Sequence, residues 1–236
     1  MAESDSIGTA KEALSLCHAS CILFAALNMK KEDIQGKDVI EVGSMDVNGS
    51  LRKLAESYKP KHYLGVDIAM GQGVDFVCNA ENLLEEFQSA CFDVLISTEM
   101  LEHVRNWKKV ISNFKNIVRI GGTMIVTTRS YGYPYHGFPY DFWRYEVEDI
   151  TNIFSDCSIE QVEKDPERGV FAKIRKPNDF TENNLSNYEL YSVIANKRIK
   201  QLDVMDCRDF FRRHEVKRRI HEIETKVKQL VTVSLF

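Results

Sequence analysis

The stretch Asp38–Ser50, DVIEVGSMDVNGS, decides the fold. Val39 to Val42 read as a buried strand that stops at Gly43. A loop of small and polar residues follows, and a helix (LRKLAESY, 51–58) begins just after Ser50. Chains that make this turn hold a nucleotide-like ligand at it. A pyrophosphate site asks for G-x-G-x-x-G, so that backbone amides can close on the phosphates. Counted from Gly43, the second glycine position is Met45 and the third is Asn48, with Gly49 displaced. Asp46 places a carboxylate in mid-loop, where it repels phosphate. The turn therefore suits a ligand without phosphates.

The next strand, HYLGVDI (62–68), ends near Asp67. An acid there can accept two hydrogen bonds from a ribose diol, each worth roughly 1.5–3 kcal/mol when charge-assisted. A site that wants a ribose, rejects phosphate and tolerates a cation fits S-adenosylmethionine. Further strands are expected at VDFVC (74–78), FDVLIS (92–97) and GTMIVTTR (122–129). Between them lie helical patterns at AENLLEEFQ (80–88) and WKKVISNFKNIVRI (107–120), the second ended by Gly121-Gly122. Alternation of this kind builds a parallel sheet covered on both faces. CSIEQVEKD and GVFAKIRK predict a final antiparallel pair turning at Pro166–Gly169.

On these segments the sequence resembles the class I S-adenosylmethionine-dependent methyltransferases over about residues 36 to 175. The resemblance implies an α/β fold, a Rossmann-like, doubly wound and mostly parallel seven-stranded sheet with an antiparallel last strand. It assigns S-adenosylmethionine to Glu41, Gly43, Ser44 and Met45 of the first loop, and makes Asp67 the ribose acid. It also assigns Asn79 and Ala80 to adenine, and Ser97, Thr98 and Glu99 to the methionine portion. His103 matches a histidine frequent in the small-molecule branch. No metal is implied. A dinucleotide enzyme is the reading that Met45 and Asp46 oppose.

Methyl transfer needs alignment and exclusion of water, and a hydroxyl acceptor also needs something to take its proton. His103, after the fourth strand, and His136, in YPYHGFPYDFWRY, are the candidates for that base. Both follow strand C-termini, where ligands bind in such sheets. The His136 loop resembles one in methyltransferases of sugar and natural-product pathways, which implies a small polar acceptor. We expect His136, Asp141, Trp143 and Arg144 to meet it, with Arg144 orienting it. A structural alternative is an Asp141–Arg144 ion pair that only fixes the loop. Glu99, Glu102 and His103 could likewise be a solvated first helical turn.

The remaining sequence sets boundaries. At 236 residues, 44% hydrophobic, 28% charged and −4 in net charge, the chain is ordinary for a soluble globular protein. Residues 1–30 read as an N-terminal helix with acids where a targeting signal would be basic, and 31–176 as the cofactor-binding domain. Six cysteines without C-x-x-C spacing read as reduced thiols of a cytoplasmic protein. Cys17, His18 and Cys21 share a helical face, but a metal there would lack a fourth ligand. From 187 to 236 a basic helical appendage is expected, with eleven Lys/Arg against six Asp/Glu between 197 and 228. Its apolar positions 216, 220, 223, 227 and 230 could pair with a second copy or pack on the domain. The interspersed acids make nucleic acid an improbable partner, and no membrane span is expected. Two rivals stand beside an O-methyltransferase of small molecules. One is an inactive cofactor-binding interaction module, and the other is a nucleic-acid methyltransferase.

Overall fold

The computed structural model describes residues 20–47, 49–137 and 140–233, with side chains at 217, 218 and beyond 220 excepted. Cys17 and His18 lie outside the described residues. Seven strands form one sheet, β1 (Asp38–Val42), β2 (His62–Asp67), β3 (Phe76–Val77), β4 (Phe92–Thr98), β5 (Val118–Arg129), β7 (Ser158–Asp165) and β8 (Gly169–Arg175). Their order is β3-β2-β1-β4-β5-β8-β7. The pairs from β3 to β5 are parallel, and β8 runs antiparallel to both β5 and β7. The expected doubly wound sheet and its closing antiparallel pair are both present.

Alternate residues of each strand feed opposite faces. Val39, Val94, Ile96, Ile125 and Phe171 join one apolar cluster with Phe24 and Ala25 of helix α1 (20–28), Ile34 of α2 (Lys31–Ile34) and Ala55 of α3 (Arg52–Ser57). Ile40, Leu95, Met124, Val126 and Ala172 join the other. That side holds Leu83 of α4 (Leu83–Phe87), Val110 and Phe114 of α5 (Trp107–Ile117), and Ile150 of α6 (Val147–Ile153). Burial on both faces explains why these strands read as continuous apolar runs.

Two expectations are corrected. Helix α5 ends at Ile117, not at 120, and Val118-Arg119-Ile120 already belong to β5. The glycine pair is a bulge inside the strand, where the register slips from Phe92↔Val118 to Val94↔Thr123. The chain from 187 is also not helical at first. β9 (Leu190–Ser192) and β10 (Lys197–Ile199) form a hairpin, and β9 pairs with β6 (Trp143–Arg144). Leu190, Ile194 and Leu202 are buried in the main cluster. Three-residue strands carry too short a pattern to be legible in sequence. Only from Val204 does α7 (Val204–Val233) begin, and Val216 and Ile220 on it are exposed.

No helix among the described residues is long and apolar enough to cross a membrane. Among the described residues, the thiols of Cys78, Cys91, Cys157 and Cys207 are free.

Candidate active site

The loops that leave β1, β2, β4 and β5 meet at the C-terminal edge of the sheet, where open α/β sheets bind ligands. Gly43 stands in the left-handed region at φ +81°, and a Cβ there would lie 2.7 Å from Met100. Its N–H and that of Ser44 donate to Val66 O at 2.9 and 3.1 Å, folding the loop over the end of β2. Met45 N–H donates to Asp67 Oδ2 at 3.1 Å, so the second-strand acid is fixed to the first loop. Beside it, Ile68 and Met70 expose 65% and 67% of their surfaces. An anchored acid next to bare apolar side chains is a fitting seat for a ribose and a flat base.

The glycines missing after Gly43 are replaced from another segment. Gly73, at φ +86°, packs so close that a Cβ would come within 2.5 Å of Ser44 O. Asp46 N–H donates to Gln72 O at 2.8 Å. The β2–β3 loop thus supplies the close approach that a glycine-rich first loop would otherwise give. Sequence reading confined to the Gly43 motif could not find this.

Glu41 is buried and accepts a hydrogen bond from the Tyr63 hydroxyl at 2.7 Å. Burial pushes its carboxyl up to about 7 despite that bond. Asn79 is exposed at the N-cap of the 3-10 turn Ala80–Asn82, where its Oδ1 accepts from Glu81 N–H at 2.9 Å, and Ala80 is buried. Ser97 is fully buried, and the hydroxyl oxygens of Ser44 and Ser97 have no hydrogen-bond partner.

Past Thr98 the strand breaks at Glu99, a non-glycine residue at φ +53°. Glu102 is fully buried and the Glu99 side chain is only 13% exposed, so the solvated-turn alternative is overturned. Glu99 Oε1 accepts from Thr127 Oγ1 at 2.9 Å and from the Cys21 thiol at 3.2 Å, and its other oxygen pairs with Arg129. Arg129 also pairs with Asp165 at 3.2 Å. Burial and the nearby Glu102 charge push Glu99 up to about 7 against the pull of Arg129. Glu102 accepts from Thr128 Oγ1 at 2.8 Å. Adjacent threonines of β5 therefore hold the two acids on opposite sides of the sheet.

The aromatic loop after β5 is clamped to the segment after β4. Phe142 N–H donates to Glu102 O at 2.8 Å, and Tyr145 N–H to Arg129 O at 2.8 Å. The Trp143 indole N–H donates to Val104 O at 3.0 Å and Arg105 O at 3.1 Å. This clamp sets the rings of His103 and His136 4.9 Å apart, although they are 33 positions apart in sequence. Both face Glu102 Oε1, with Nε2 at 3.8 Å in His103 and 3.6 Å in His136. Burial would raise the Glu102 carboxyl, but the facing imidazoles outweigh it and hold the group at about 2. Burial pushes His136 down, yet Asp141 and Glu102 together hold it up at about 9.

Asp141, Trp143 and Arg144 are buried. Arg144 spends its donors on Asp141 Oδ1 (2.5 Å) and Oδ2 (2.7 Å), Trp143 O (2.8 Å), Tyr133 O (3.2 Å) and Pro134 O (3.1 Å). Its expected role of orienting the acceptor is replaced by that of building the loop. Asp141 Oδ2 in turn accepts from His136 Nδ1 at 2.9 Å. Phe210, Phe211 and His214 of α7 close over the same loop, with ring separations of 5.6 Å (Phe210–Tyr135), 4.6 Å (Phe211–Tyr140) and 4.5 Å (His214–Tyr135). Beyond β5, toward the β7–β8 turn, lies an open cavity of about 590 Å³ lined by Ser130, Tyr131, Arg144, Arg168 and Tyr191 among others. Arg129, Asp165 and the α7 aromatics escaped sequence reading because they reach the site from distant segments.

Residues 32–126 match the family described as a methyltransferase domain. The ubiquinone biosynthesis O-methyltransferase of Idiomarina loihiensis is 30% identical over 106 residues, 39% of this chain and 42% of that protein. The chain thus spans less than half the length of the curated relatives it matches. Among solved structures, a methyltransferase in complex with the Haloferax volcanii Trm112 methyltransferase activator superposes with a TM-score of 0.56 at 13% identity. The match covers 75% of this chain and 97% of that one. The 1,6-didemethyltoxoflavin-N1-methyltransferase of Burkholderia thailandensis, with bound 1,6-didemethyltoxoflavin and S-adenosylhomocysteine, gives 0.50 at 13% identity over 74% and 84%. At these identities the structures speak to the fold. The His136 loop lies beyond the matched family segment.

Proposed function

We propose that the protein, whose residues 32–126 match the methyltransferase-domain family and whose sheet continues to Arg175, is a class I, Rossmann-like S-adenosylmethionine-dependent enzyme that methylates a small polar acceptor, at oxygen. The observation that carries the reading is Asp67. Its carboxylate is bonded to the Met45 N–H of the first loop and stands beside exposed Ile68 and Met70.

Bound there, S-adenosylmethionine would supply a methyl group on sulfur, which the acceptor oxygen takes while the electron pair of the broken bond stays on sulfur. The chain's own residues have three tasks. Asp67 and the Gly43–Met45 loop hold the ribose and tail. Ser97, Thr98 and Glu99, at the end of β4, face the methionine portion. The Glu102–His103–His136 cluster receives the acceptor end, and His103 takes the proton its hydroxyl loses, since Asp141 and Glu102 keep His136 already protonated near neutral pH. Weak similarity to a ubiquinone biosynthesis O-methyltransferase supports oxygen as the target.

The test is calorimetric titration with S-adenosylmethionine and with NAD, followed by a panel of catechol-, sugar- and hydroxy-acid acceptors read by S-adenosylhomocysteine release. Binding of S-adenosylmethionine with turnover on a hydroxylated acceptor is expected. Binding without turnover on any acceptor class would favour the interaction-module reading, and NAD binding alone would end the methyltransferase reading.

A further inference from the structure

We propose that Glu102, His103 and His136 form a binding site for a divalent transition-metal ion of the zinc class. One ligand atom from each lies within 4.8 Å of the others. Glu102 is fully buried, and its Oε1 has no hydrogen-bond partner. Leaving a buried carboxylate oxygen unpaired is costly. That orphan atom faces His103 Nε2 at 3.8 Å and His136 Nε2 at 3.6 Å, too far for hydrogen bonds but suited to a shared cation. Ligands bound tetrahedrally at 2.0–2.1 Å would stand about 3.3 Å apart, so each contact to Glu102 has to close by under 1 Å.

The outer contacts of the two imidazoles supply independent support. His103 Nδ1 donates to Tyr140 O at 2.5 Å, and His136 Nδ1 donates to Asp141 Oδ2 at 2.9 Å. Each histidine therefore has its Nδ1–H engaged and its Nε2 turned inward. Metal-bound histidines are held in this way, by a carboxylate or a carbonyl on the far nitrogen. Asp141 is itself fixed by Arg144 at 2.5 Å, and Glu102 by Thr128 at 2.8 Å. Two imidazoles and one carboxylate leave coordination positions open, as in sites where a metal meets a substrate oxygen.

The ion's role in the reaction rests on the methyl-transfer reading above, although its binding does not. With the ion bound, the histidine Nε2 atoms are its ligands and no longer take a proton, so an acceptor hydroxyl on the ion would instead lose its proton to solvent, keep the electron pair on oxygen and meet the methyl group from a fixed position.

The test uses the full chain, stripped with a chelator and dialysed. Titration with Co²⁺ is followed by visible absorption, and titration with Zn²⁺ by calorimetry. One equivalent of each is expected to bind, with the Co²⁺ bands of a site containing nitrogen ligands. Glu102→Gln, His103→Gln and His136→Gln should each weaken binding by at least about tenfold, and Asp141→Asn by about 10- to 100-fold. Far-ultraviolet circular dichroism and S-adenosylmethionine titration of each variant report on the fold and the cofactor site separately. Absence of stoichiometric binding, or binding unchanged in both histidine variants, overturns the metal site and leaves methyl transfer standing. Metal binding without S-adenosylmethionine binding overturns the methyl-transfer reading and leaves the metal site.

Discussion

Gly73→Ala should damage the cofactor site from the loop packed behind it. Two terms add. At φ +86° an alanine pays the left-handed penalty of about 1–2 kcal/mol. Its Cβ would also lie 2.5 Å from Ser44 O, a backbone atom with Asp46 N behind it at 3.5 Å. The first loop must then retreat by roughly 1 Å, an overpacking cost of about 1–3 kcal/mol. Gly36→Ala is the matched control, since Gly36 has φ +69° with nothing within 4 Å of the added Cβ. The control should lose only the backbone term, about 2–4 °C in Tm for each kcal/mol. Gly73→Ala should lose roughly twice as much. It should also weaken S-adenosylmethionine binding by about tenfold, because the displaced loop carries Met45 N–H away from Asp67. Thermal melts and calorimetry on the two variants decide it. Equal Tm losses with unchanged cofactor affinity would refute the claim that the β2–β3 loop shapes the first loop.

Asp67→Ala should reduce S-adenosylmethionine affinity by more than tenfold at unchanged fold, since it removes charge-assisted bonds worth roughly 1.5–3 kcal/mol; calorimetry checks it. Glu41 has its carboxyl raised by burial to about 7. The folded state therefore binds the extra proton, and stability falls as pH rises from the unfolded carboxyl range through about 7. Glu41→Gln, which keeps the Tyr63 partner, should remove that slope and gain on the order of 3 kcal/mol above pH 7, read by urea melts at pH 5 and pH 8. Arg144→Met should cost about 3–5 kcal/mol by stranding the buried Asp141, and the double variant Arg144→Met with Asp141→Leu should recover much of it in the same melts. Trp143→Phe should cost about 1–3 kcal/mol through the unpaired carbonyls of Val104 and Arg105 and loosen the His103–His136 pair, visible as broadened histidine resonances.

The sheet was legible because its strands are buried on both faces, so each announces itself as an apolar run bounded by a turn. The turn at Gly43 and the acid at Asp67 were legible because both belong to consecutive βα units. The site's second half was less so. Glu102 lies beside acids that would ordinarily be solvated at a helix start, and nothing in ISTEMLEHV says that it is the fully buried one. His136 could be named from its loop, but its meeting with His103 depends on the Trp143 and Tyr145 bonds to distant carbonyls. Arg129 closes on Cys21 across 108 positions, a pairing that no local pattern encodes.

The cover that α7 places on the aromatic loop has a consequence for biosynthesis. Tyr135, Tyr140 and Phe142 rest on Phe210 and Phe211, which leave the ribosome about seventy residues later. At roughly 5–20 residues per second, plus the length still held in the exit tunnel, the loop waits several seconds without its cover while the sheet behind it can already assemble. During that interval the nascent chain carries an aromatic patch of the kind that chaperones grasp. A product that terminates before residue 210 keeps that patch permanently, so concealment of the loop waits on the synthesis of α7.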